Sequence, residues 1–477
     1  MKILKIILKG ILVLIGLLLL AAIVILGVDS LQTNYLKTKE LNKENKNSYL
    51  IANANVLPMT RDTVLRNKMV LVREGRIVSI GNDIQAPGIE IIDAKNGFLV
   101  PGLIDMHVHV WDRYELGLYL SNGVTSVRNV WGMPMHLRLK EDIENRELVS
   151  PQFLTTGPKL TGPEFIGDDN LNLTSPGEAR EKIKEYKERG YDYIKTYYGL
   201  TPELFDAILE EAVRQDMDIV AHPSQKVPYA YHFNPQIASI EHAEDIVQQP
   251  LEYQLDTLKL QEVVADFSNA PHTSFCPTLM AFYNIYNMLQ EEDVLSSKPV
   301  ELMNPSIRMI DSKAQFERWQ STKKEDPGVV ERIRDQHDFH LLALKKLHEA
   351  GVNLVCGTDS GIGITVPGVS LHQELALYRE AGLSNYETLK TATINASRVH
   401  QKLNAVGSIE EGKVANLLLL DANPMEDLSL LRDPAAVFVN GIKLDRETLD
   451  LFEDKARNRK NLVASILRYA ENLIVEK

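Results

Sequence analysis

Short apolar runs alternate with amphipathic helical segments through the middle of this chain, and this alternation constrains the fold more than any other feature. Apolar residues recur at helical spacing over residues 178–189, 202–215 and 334–350, with β-rich runs between these segments. About 300 residues of such alternation are typical of a parallel sheet closed into a barrel. The sequence therefore predicts an α/β fold, a (β/α)8 TIM barrel over residues 101–400, whose chemistry lies at the carboxyl ends of the strands.

Two histidines stand at the end of the first of these runs. The apolar stretch 97–106 leads directly into His107-Val108-His109. In a strand, residues i and i+2 point to the same side, so both imidazoles can reach one ion without a bend in the backbone. Ordinary core and surface histidines also occur at this spacing, so the pair indicates a metal site only together with other ligands.

Four further residues of metal-binding type each end a short β-rich run: Lys195, His222, His242 and Asp359. Taken singly, each has an ordinary structural interpretation, as a lysine reaching solvent, a hydrogen-bonded core histidine or an aspartate at a helix N-cap. Taken with the histidine pair, they fall at successive strand ends, which a parallel barrel brings to one face. The set therefore predicts a metal centre.

Several motifs make the chain resemble the metal-dependent amidohydrolases. The matching stretches are residues 100–109, 192–195, 221–222, 240–242, 276–279, 357–360, 392–396 and 407–413. They are most similar to the branch that contains the imidazolonepropionase-like enzymes and the prolidases built on this fold. The resemblance implies a hydrolase that cleaves a carbon–nitrogen bond in an amide, a dipeptide or a cyclic amide.

The resemblance also implies two divalent metal ions, for which zinc suits the ligands. The implied ligands are His107, His109 and Asp359 on one ion, His222 and His242 on the second, and Lys195 between them. A free ammonium cannot bind a cation, so Lys195 is expected to be carboxylated by CO2 to a carbamate. Asp359 is expected to take a proton from the attacking water and to return it to the departing nitrogen, so Asp359 and Lys195 are the predicted catalytic residues.

Five residues are candidate substrate contacts: Arg128, Tyr197, Tyr198, Tyr231 and His372. Arg128 can clamp a substrate carboxylate in a bidentate pair or form an internal salt bridge. The resembled family often has Asp after this arginine, and Asn129 in its place predicts that a partner carboxylate is missing. His372 contacts substrate or makes a local structural bond, and the three tyrosines line the pocket or pack within loops.

The flanks of the barrel are predicted to form accessory structure. Residues 49–100 and 401–446 contain short alternating runs and, through the resemblance, form one composite β-sandwich domain. Residues 447–477 predict a charged, peripheral C-terminal helix. The stretch 281–335 is longer than a typical connection between a strand and a helix, which makes it a candidate lid or a set of spacer helices.

The amino-terminal segment predicts a membrane anchor. Residues 10–28 carry no charged or strongly polar side chain, and in a helix they span about 28 Å, close to the hydrocarbon thickness of a bilayer. They are expected to form a transmembrane signal anchor between a basic segment, 1–9, and a polar linker, 29–48. The lysines before the span favour a single-pass protein with its catalytic body on the extracytoplasmic side. A cleaved signal peptide is the alternative.

Composition narrows the partners. The formal net charge of −13 argues against nucleic acid, which leaves a small-molecule or dipeptide substrate, the membrane and, as an open alternative, a homo-oligomer. The two cysteines, Cys276 and Cys356, fall on neighbouring predicted strands as free thiols or as a bridge. Two other functions stay open: a one-metal deaminase of aminated heterocycles, and a non-catalytic, membrane-anchored binding or scaffold protein.

Overall fold

The computed structural model describes residues 2–42, 47–164 and 171–476. The strands are β1 (Tyr49–Val56), β2 (Leu65–Arg73), β3 (Arg76–Gly81), β4 (Glu90–Asp93), β5 (Phe98–Pro101), β6 (Leu103–Val108), β7 (Val124–Asn129), β8 (Gln152–Thr161), β9 (Leu171–Asn172), β10 (Tyr193–Thr196), β11 (Asp218–Ala221), β12 (Ile237–Glu241), β13 (Ser274–Cys276), β14 (Leu417–Leu420), β15 (Ala436–Val439) and β16 (Ile442–Asp445).

The α-helices fill the connections between these strands and both ends of the chain. They are α1 (Lys2–Gln32), α2 (Thr38–Leu41), α3 (Tyr114–Ser121), α4 (Pro134–Glu144), α5 (Pro176–Arg189), α6 (Pro202–Gln215), α7 (Ala243–Gln248), α8 (Thr257–Asn269), α9 (Leu279–Gln290), α10 (Pro305–Ile307), α11 (Lys313–Glu325), α12 (Val329–Glu349), α13 (Val369–Glu380), α14 (Asn385–Thr391), α15 (Ile394–Ser397), α16 (Arg446–Arg457) and α17 (Leu462–Glu476).

The predicted barrel is confirmed. Strands β6, β7, β8, β10, β11, β12 and β13 pair in parallel, each with the next, and β9 pairs with β8 outside this series. The stretch 354–360 takes the eighth position, because Leu354 pairs with Phe275 of β13 and Ser360 pairs with Val108 of β6. Every residue of β6 and β7 is buried, as expected for strands covered on both faces.

The eighth segment passes very close to the first strand. A Cβ atom on Gly357 would lie 2.4 Å from the Cys276 Sγ and 2.8 Å from the His107 Cβ. Only glycine therefore fits at this point of closure. Cys276 and Cys356 are both buried and unbridged, so the free-thiol alternative holds.

The two flanks of the barrel meet in one mixed sheet. Its order is β16-β15-β14-β5-β1-β2-β3, and β4 pairs with β1. The antiparallel pairing of β14 with β5 joins the segment after the barrel to the segment before it. A compact apolar cluster that includes Ile51, Val70, Leu417 and Phe438 stabilises this sheet.

The segment expected to be a polar linker packs on the barrel over its described residues. Leu36 is fully buried, and Lys37 forms a β-bridge with Leu148. The aromatic ring of Tyr35 lies 5.6 Å from that of Phe452 on α16. The linker prediction overlooked these apolar contacts; part of the predicted linker, residues 43–46, lies outside the described residues.

The carboxyl-terminal segment is two helices, α16 and α17, where one peripheral helix was predicted. The break at residues 458–461 is a polar stretch whose side chains bind a buried carboxylate. Arg459 Nη1 donates to Asp112 Oδ1 at 3.0 Å, and Asn461 Nδ2 donates to Asp112 Oδ2 at 2.8 Å. The prediction of a peripheral position is wrong, because these bonds tie the segment to the loop that follows β6.

Candidate active site

The six predicted metal ligands line one cavity of about 490 Å³ at the carboxyl ends of the barrel strands. They are His107 in β6, His109 just after it, Lys195 in β10, His222 and His242 directly after β11 and β12, and Asp359 in the eighth segment. All six are buried. The parallel order of the strands explains this convergence, since equivalent ends of neighbouring strands meet on one face.

The ligand-type atoms lie close together. Asp359 Oδ1 lies 2.7 Å from His109 Nε2 and 3.2 Å from His107 Nε2. One ligand atom from each of His107, His242 and Asp359 lies within 4.8 Å of the others. The imidazole rings of His222 and His242 have centroids 4.5 Å apart. These separations bring the two ligand groups expected from the sequence into one compact centre.

Two of these residues have an unusual backbone. The φ angle is +67° at His242 and +59° at Asp359, in the left-handed region that L residues seldom adopt. Such strain persists where the surrounding structure enforces it, and it concentrates at functional sites. Here it turns both side chains into the cavity immediately after their strands end.

Unsatisfied polar atoms show that this site fits a metal ion. Within the part of the chain that the structure describes, Lys195 Nζ, both ring nitrogens of His222 and His109 Nδ1 are buried without a hydrogen-bond partner. His222 Nε2 does lie 3.2 Å from Asp245 Oδ2, but without hydrogen-bond geometry. Buried polar groups normally have a hydrogen-bond partner, so several unpaired nitrogen atoms around one cavity fit the binding of a metal ion. Nitrogen and carboxylate donors suit zinc and similar ions.

Burial also changes the charge of the lysine. Lys195 is 1% exposed, and this burial lowers the pKa of its ammonium to about 8. The neutral, nucleophilic amine is therefore more populated near neutral pH than in an ordinary lysine.

A buried carboxylate that the sequence analysis did not assign holds the first histidine in place. Glu241 Oε2 lies 2.6 Å from His107 Nδ1, which leaves His107 Nε2 facing the cavity. Burial alone would raise the pKa of Glu241, but the Arg128 guanidinium and His107 hold it well below the usual range. Glu241 directly precedes His242 within residues 240–242, a stretch that already matched the resembled family. Its place in that motif was the sequence signal that could have revealed it.

Arg128 does not contact the cavity, so its predicted role as a substrate clamp is wrong. Its side chain is fully buried, donating from Nε to the Met106 carbonyl and from Nη2 to Glu241 Oε1 at 2.9 Å. The internal salt bridge is thus the correct alternative. The expected absence of a partner carboxylate is also wrong, because Glu241 supplies it; Asn129 instead accepts a hydrogen bond from the Val110 amide.

Two further predicted substrate contacts lie away from the cavity. His372 Nε2 binds the Asn122 carbonyl oxygen at 2.9 Å, which is the local structural bond left open by the sequence. Tyr231 is largely exposed and packs near Phe205. Tyr197 and Tyr198 do line the cavity, and their rings lie 4.5 Å and 4.3 Å from that of His222.

The rest of the wall comes from residues that sequence reasoning missed. Lys159 of β8 brings a positive charge, and its Nζ lies 4.9 Å from the centre of the Trp131 ring and 5.0 Å from that of Tyr197. The other such residues are Trp111, Glu244, Ser306, Ile307, Ile310, Asp311, Ile362, Ser465, Ile466 and Tyr469. Residues 281–335, the candidate lid or set of spacer helices, add side chains to the cavity wall from α10 and the helical turn after it. Helix α17 adds side chains from its first half.

Comparison with known families shows which proteins the chain is similar to. The model of the Amidohydrolase family matches residues 305–443. The ochratoxinase of Aspergillus niger is 21% identical over 443 residues, which cover 78% of this chain and 81% of that protein. The 5-methylthioadenosine/S-adenosylhomocysteine deaminase of Pyrococcus furiosus is 23% identical over 448 residues, covering 85% of this chain and 97% of that protein.

Solved structures share the fold. The bottromycin amidohydrolase superposes with a TM-score of 0.71 at 23% identity, covering 87% of this chain and 92% of that one. A putative prolidase from Bifidobacterium longum superposes with a TM-score of 0.66 at 24% identity, covering 86% of this chain and 98% of that one. The barrel and its flanking sheet are therefore a fold that the chain shares with these two proteins.

Proposed function

We propose that the chain is an amidohydrolase, as its fold and the family model matching residues 305–443 support, and that it cleaves the carbon–nitrogen bond of an amide at a two-metal site. The observation that carries the proposal is the ammonium of Lys195, buried without a partner among four histidines and an aspartate. A buried lysine in this position is costly as a cation but useful as an anionic ligand. The proposed ligands are His107, His109, Lys195, His222, His242 and Asp359.

Lys195 becomes an anionic ligand by reaction with CO2. The neutral amine attacks the carbon of CO2 and loses one proton, which leaves a carbamate with two oxygens in place of a positive charge. The lowered pKa of Lys195 favours this step, because only the unprotonated amine reacts. The carbamate oxygens would then hold metal together with His107, His109, His222, His242 and Asp359. When bound, the two ions lower the pKa of water and polarise the scissile carbonyl.

Asp359 is the proposed proton carrier. Its carboxylate faces the cavity beside His107 and His109, within reach of a water that attacks the amide carbon. Asp359 would accept a proton from that water and return it to the nitrogen as the carbon–nitrogen bond breaks. The products are a carboxylic acid and an amine. Glu241 and Arg128 take no proton in this scheme, because they lie beneath the site and position His107.

The wall of the cavity points to an amide that carries a carboxylate. Lys159 is a cation on the cavity wall, held between two aromatic rings, and it replaces Arg128 as the candidate partner for a substrate carboxylate. The remaining wall is largely aromatic and aliphatic, which favours an apolar group on the other side of the amide. Dipeptides of the aminoacyl-proline type and N-acyl amino acids both meet these requirements.

Deamination by one metal is the second candidate, supported by the match to the Pyrococcus furiosus deaminase. Such enzymes typically carry a glutamate shortly after the histidine of the fifth strand, whereas His222 is followed by Pro-Ser-Gln-Lys. The lysine at the end of β10 also has no use in a one-metal site. Release of ammonia from aminated heterocycles, without cleavage of amides, would favour this candidate.

We further propose that α1 anchors the protein in a membrane. Residues 3–32 form one helix long and apolar enough to span a bilayer, and their most apolar window is not buried against the body. Side-chain contacts of Asp29 and Gln32 fix the end of α1 to the body. Carbonate extraction of membranes, followed by mass measurement of the purified chain, tests this. A chain that is soluble and begins near Asp29 would show cleavage instead.

The decisive experiment measures metal per chain in the full-length protein in detergent, loaded with zinc and bicarbonate, beside Lys195→Ala. We expect close to two ions per chain, fewer in the variant, and hydrolysis of at least one carboxylate-bearing amide in a panel of aminoacyl-prolines, N-acyl amino acids and lactams. One ion, unaffected by the substitution, would support the deaminase. Binding of no ion would exclude both the two-metal amidohydrolase and the one-metal deaminase, and would favour the non-catalytic scaffold protein.

A further inference from the structure

We infer that the mouth of the cavity rests on the lipid surface and that the amide enters from it as an amphiphile, with its apolar chain along an exposed stripe of α17. This inference rests on the proposed membrane anchor and deepens the proposed function by naming the substrate class. The contacts of α1, the exposed face of α17 and the rim of the cavity support it.

The last turns of α1 are fixed to the catalytic body beside α17. Asp29 forms a buried ion pair with Arg468 of α17, and the Tyr114 hydroxyl donates to Gln32 at 3.1 Å. One small cavity joins Leu26 and Ser30 of α1 to Met135 of α4 and Arg468 of α17. The helix therefore leaves the membrane at the flank of α17 and is not separated from the body by a flexible tether.

Helix α17 has one face on the body and one face without cover. Ala464, Ser465 and Asn472 are buried toward the body. The opposite face carries Val463, Ile466, Leu473 and Ile474, which are exposed and lie within about one third of the helix circumference. Ile474 is 81% exposed, unusual for a side chain of its kind in water. A helix with this division typically lies in the interface of a bilayer.

The stripe continues into the mouth of the cavity. Ile466 of α17 and Ile310 of the turn after α10 both line the cavity while remaining exposed, and Met309 beside them is also exposed. Exposed apolar side chains thus lie both along α17 and at the entrance, and α1 contacts the same helix through Arg468. Lipid is the occupant that this arrangement favours, because α1 brings the bilayer to α17.

The same geometry defines the substrate. An amide that arrives through an apolar entrance and meets Lys159 on the wall needs an apolar chain and a carboxylate. A long-chain N-acyl amino acid has both, with the amide between them. A short, fully polar dipeptide has no use for the stripe.

A fluorescent label tests the lipid contact without any turnover. Cys276 and Cys356 are buried, so a thiol-reactive environment-sensitive dye will label only an introduced cysteine. Full-length Ile310→Cys and a control, Val213→Cys, which is 62% exposed on α6, are labelled and placed in nanodiscs with spin-labelled acyl chains. We expect a blue shift and several-fold stronger quenching at 310 than at 213. Equal quenching at both positions, or shielding at 310 by a second copy in lipid-free protein, would overturn the inference.

A second variant tests the route of entry. Ile474 does not line the cavity, so Ile474→Glu is expected to affect hydrolysis of N-acetylglycine, which has no chain to lie on the stripe, far less than hydrolysis of a long-chain substrate. It should weaken quenching of the label at position 310 and reduce several-fold the hydrolysis of N-dodecanoylglycine in nanodiscs. Equal loss on both substrates, or loss on neither, would overturn the inference. Absence of hydrolysis in the unsubstituted protein would count against the proposed function, while the label would still decide the lipid contact.

Discussion

Arg128 and Glu241 form an ion pair wholly inside the barrel, with Nη2 of the arginine 2.9 Å from Oε1 of the glutamate. The strands that carry them, β7 and β12, are not neighbours in the sheet, so the pair crosses the barrel interior. The other carboxylate oxygen of Glu241 binds His107. The pair therefore links the packed core of the barrel to His107, the first of the proposed metal ligands.

Arg128→Met should destabilise the fold strongly. Removing one partner of a buried ion pair leaves an uncompensated charge, which typically costs about 3–5 kcal/mol. Denaturant unfolding monitored by tryptophan fluorescence measures this loss, with Arg214→Met on the exposed surface of α6 as the control. A stable Arg128→Met protein that has lost only affinity for carboxylate substrates would instead support the hypothesis that Arg128 binds the substrate carboxylate.

Glu241→Gln should weaken metal binding more than it weakens the fold. The amide can no longer hold the His107 ring as a charged partner, and loss of such an outer contact typically lowers metal affinity by about 10–100-fold. Competition with a chromophoric chelator gives the zinc affinity of the variant. Glu211→Gln, at a buried carboxylate of α6 that binds Gln215 and does not line the cavity, should leave that affinity unchanged.

Removal of metal should lower thermal stability in a lysine-dependent way. An ion bound at a concentration about 1,000 times its Kd stabilises the folded state by about 4 kcal/mol. Differential scanning fluorimetry with and without a chelator should show a fall in Tm of several degrees, and bicarbonate should enhance reloading. Lys195→Ala should respond much less; an equal response in both proteins would count against a ligand role for Lys195.

Lys159→Met should change substrate binding and spare the metal centre. Loss of the cation should raise KM for a carboxylate-bearing amide by about tenfold or more, since hydrogen bonds to charged groups contribute about 1.5–3 kcal/mol. Turnover at saturation should change little. As a control, the substrate carboxylate is converted to a primary amide, and both the unsubstituted protein and Lys159→Met should hydrolyse this compound at similar rates. A fall in kcat on every substrate would mean that Lys159 takes part in bond cleavage.

Arg459→Met should loosen the carboxyl-terminal helices. The variant leaves Asp112 without its guanidinium in a site where the arginine is almost fully buried. Local opening of α16 and α17 should then occur at lower free energy than unfolding of the barrel. Limited proteolysis should cut near residues 445–461 faster than in the unsubstituted chain. Arg457→Met, which removes exposed pairs with Glu301 and Glu453, is the matched control.

The sequence was informative where function depends on local spacing. His107 and His109 share a face because of strand geometry alone, and Lys195, His222, His242 and Asp359 meet because parallel strands end at one edge. Contacts through space were not predictable in this way. The partner of Arg128 lies 113 residues further along the chain, and nothing in the spacing of residues indicates which buried carboxylate an arginine will reach.

The carboxyl-terminal segment shows the same limit more clearly. Its charged residues at 457–460 are typical of a solvated helix end, and Asp112 lies more than three hundred residues before them. Only the folded barrel shows that Arg459 is buried on this aspartate and that Tyr469 reaches the cavity. The exposed stripe on α17 was equally hidden, because its residues resemble an ordinary core face until their neighbours are known.

If α1 anchors the protein as proposed, its unbroken course from Lys2 to Gln32 would hold the catalytic body at a fixed height above the membrane. Each residue of a helix adds about 1.5 Å along its axis. The number of residues between the bilayer and Asp29 would therefore set the distance from the membrane to the cavity mouth. An enzyme on a flexible tether samples many distances from its membrane. This one would search in two dimensions at a single distance, and a few residues added to or removed from α1 would move its entrance away from the surface that feeds it.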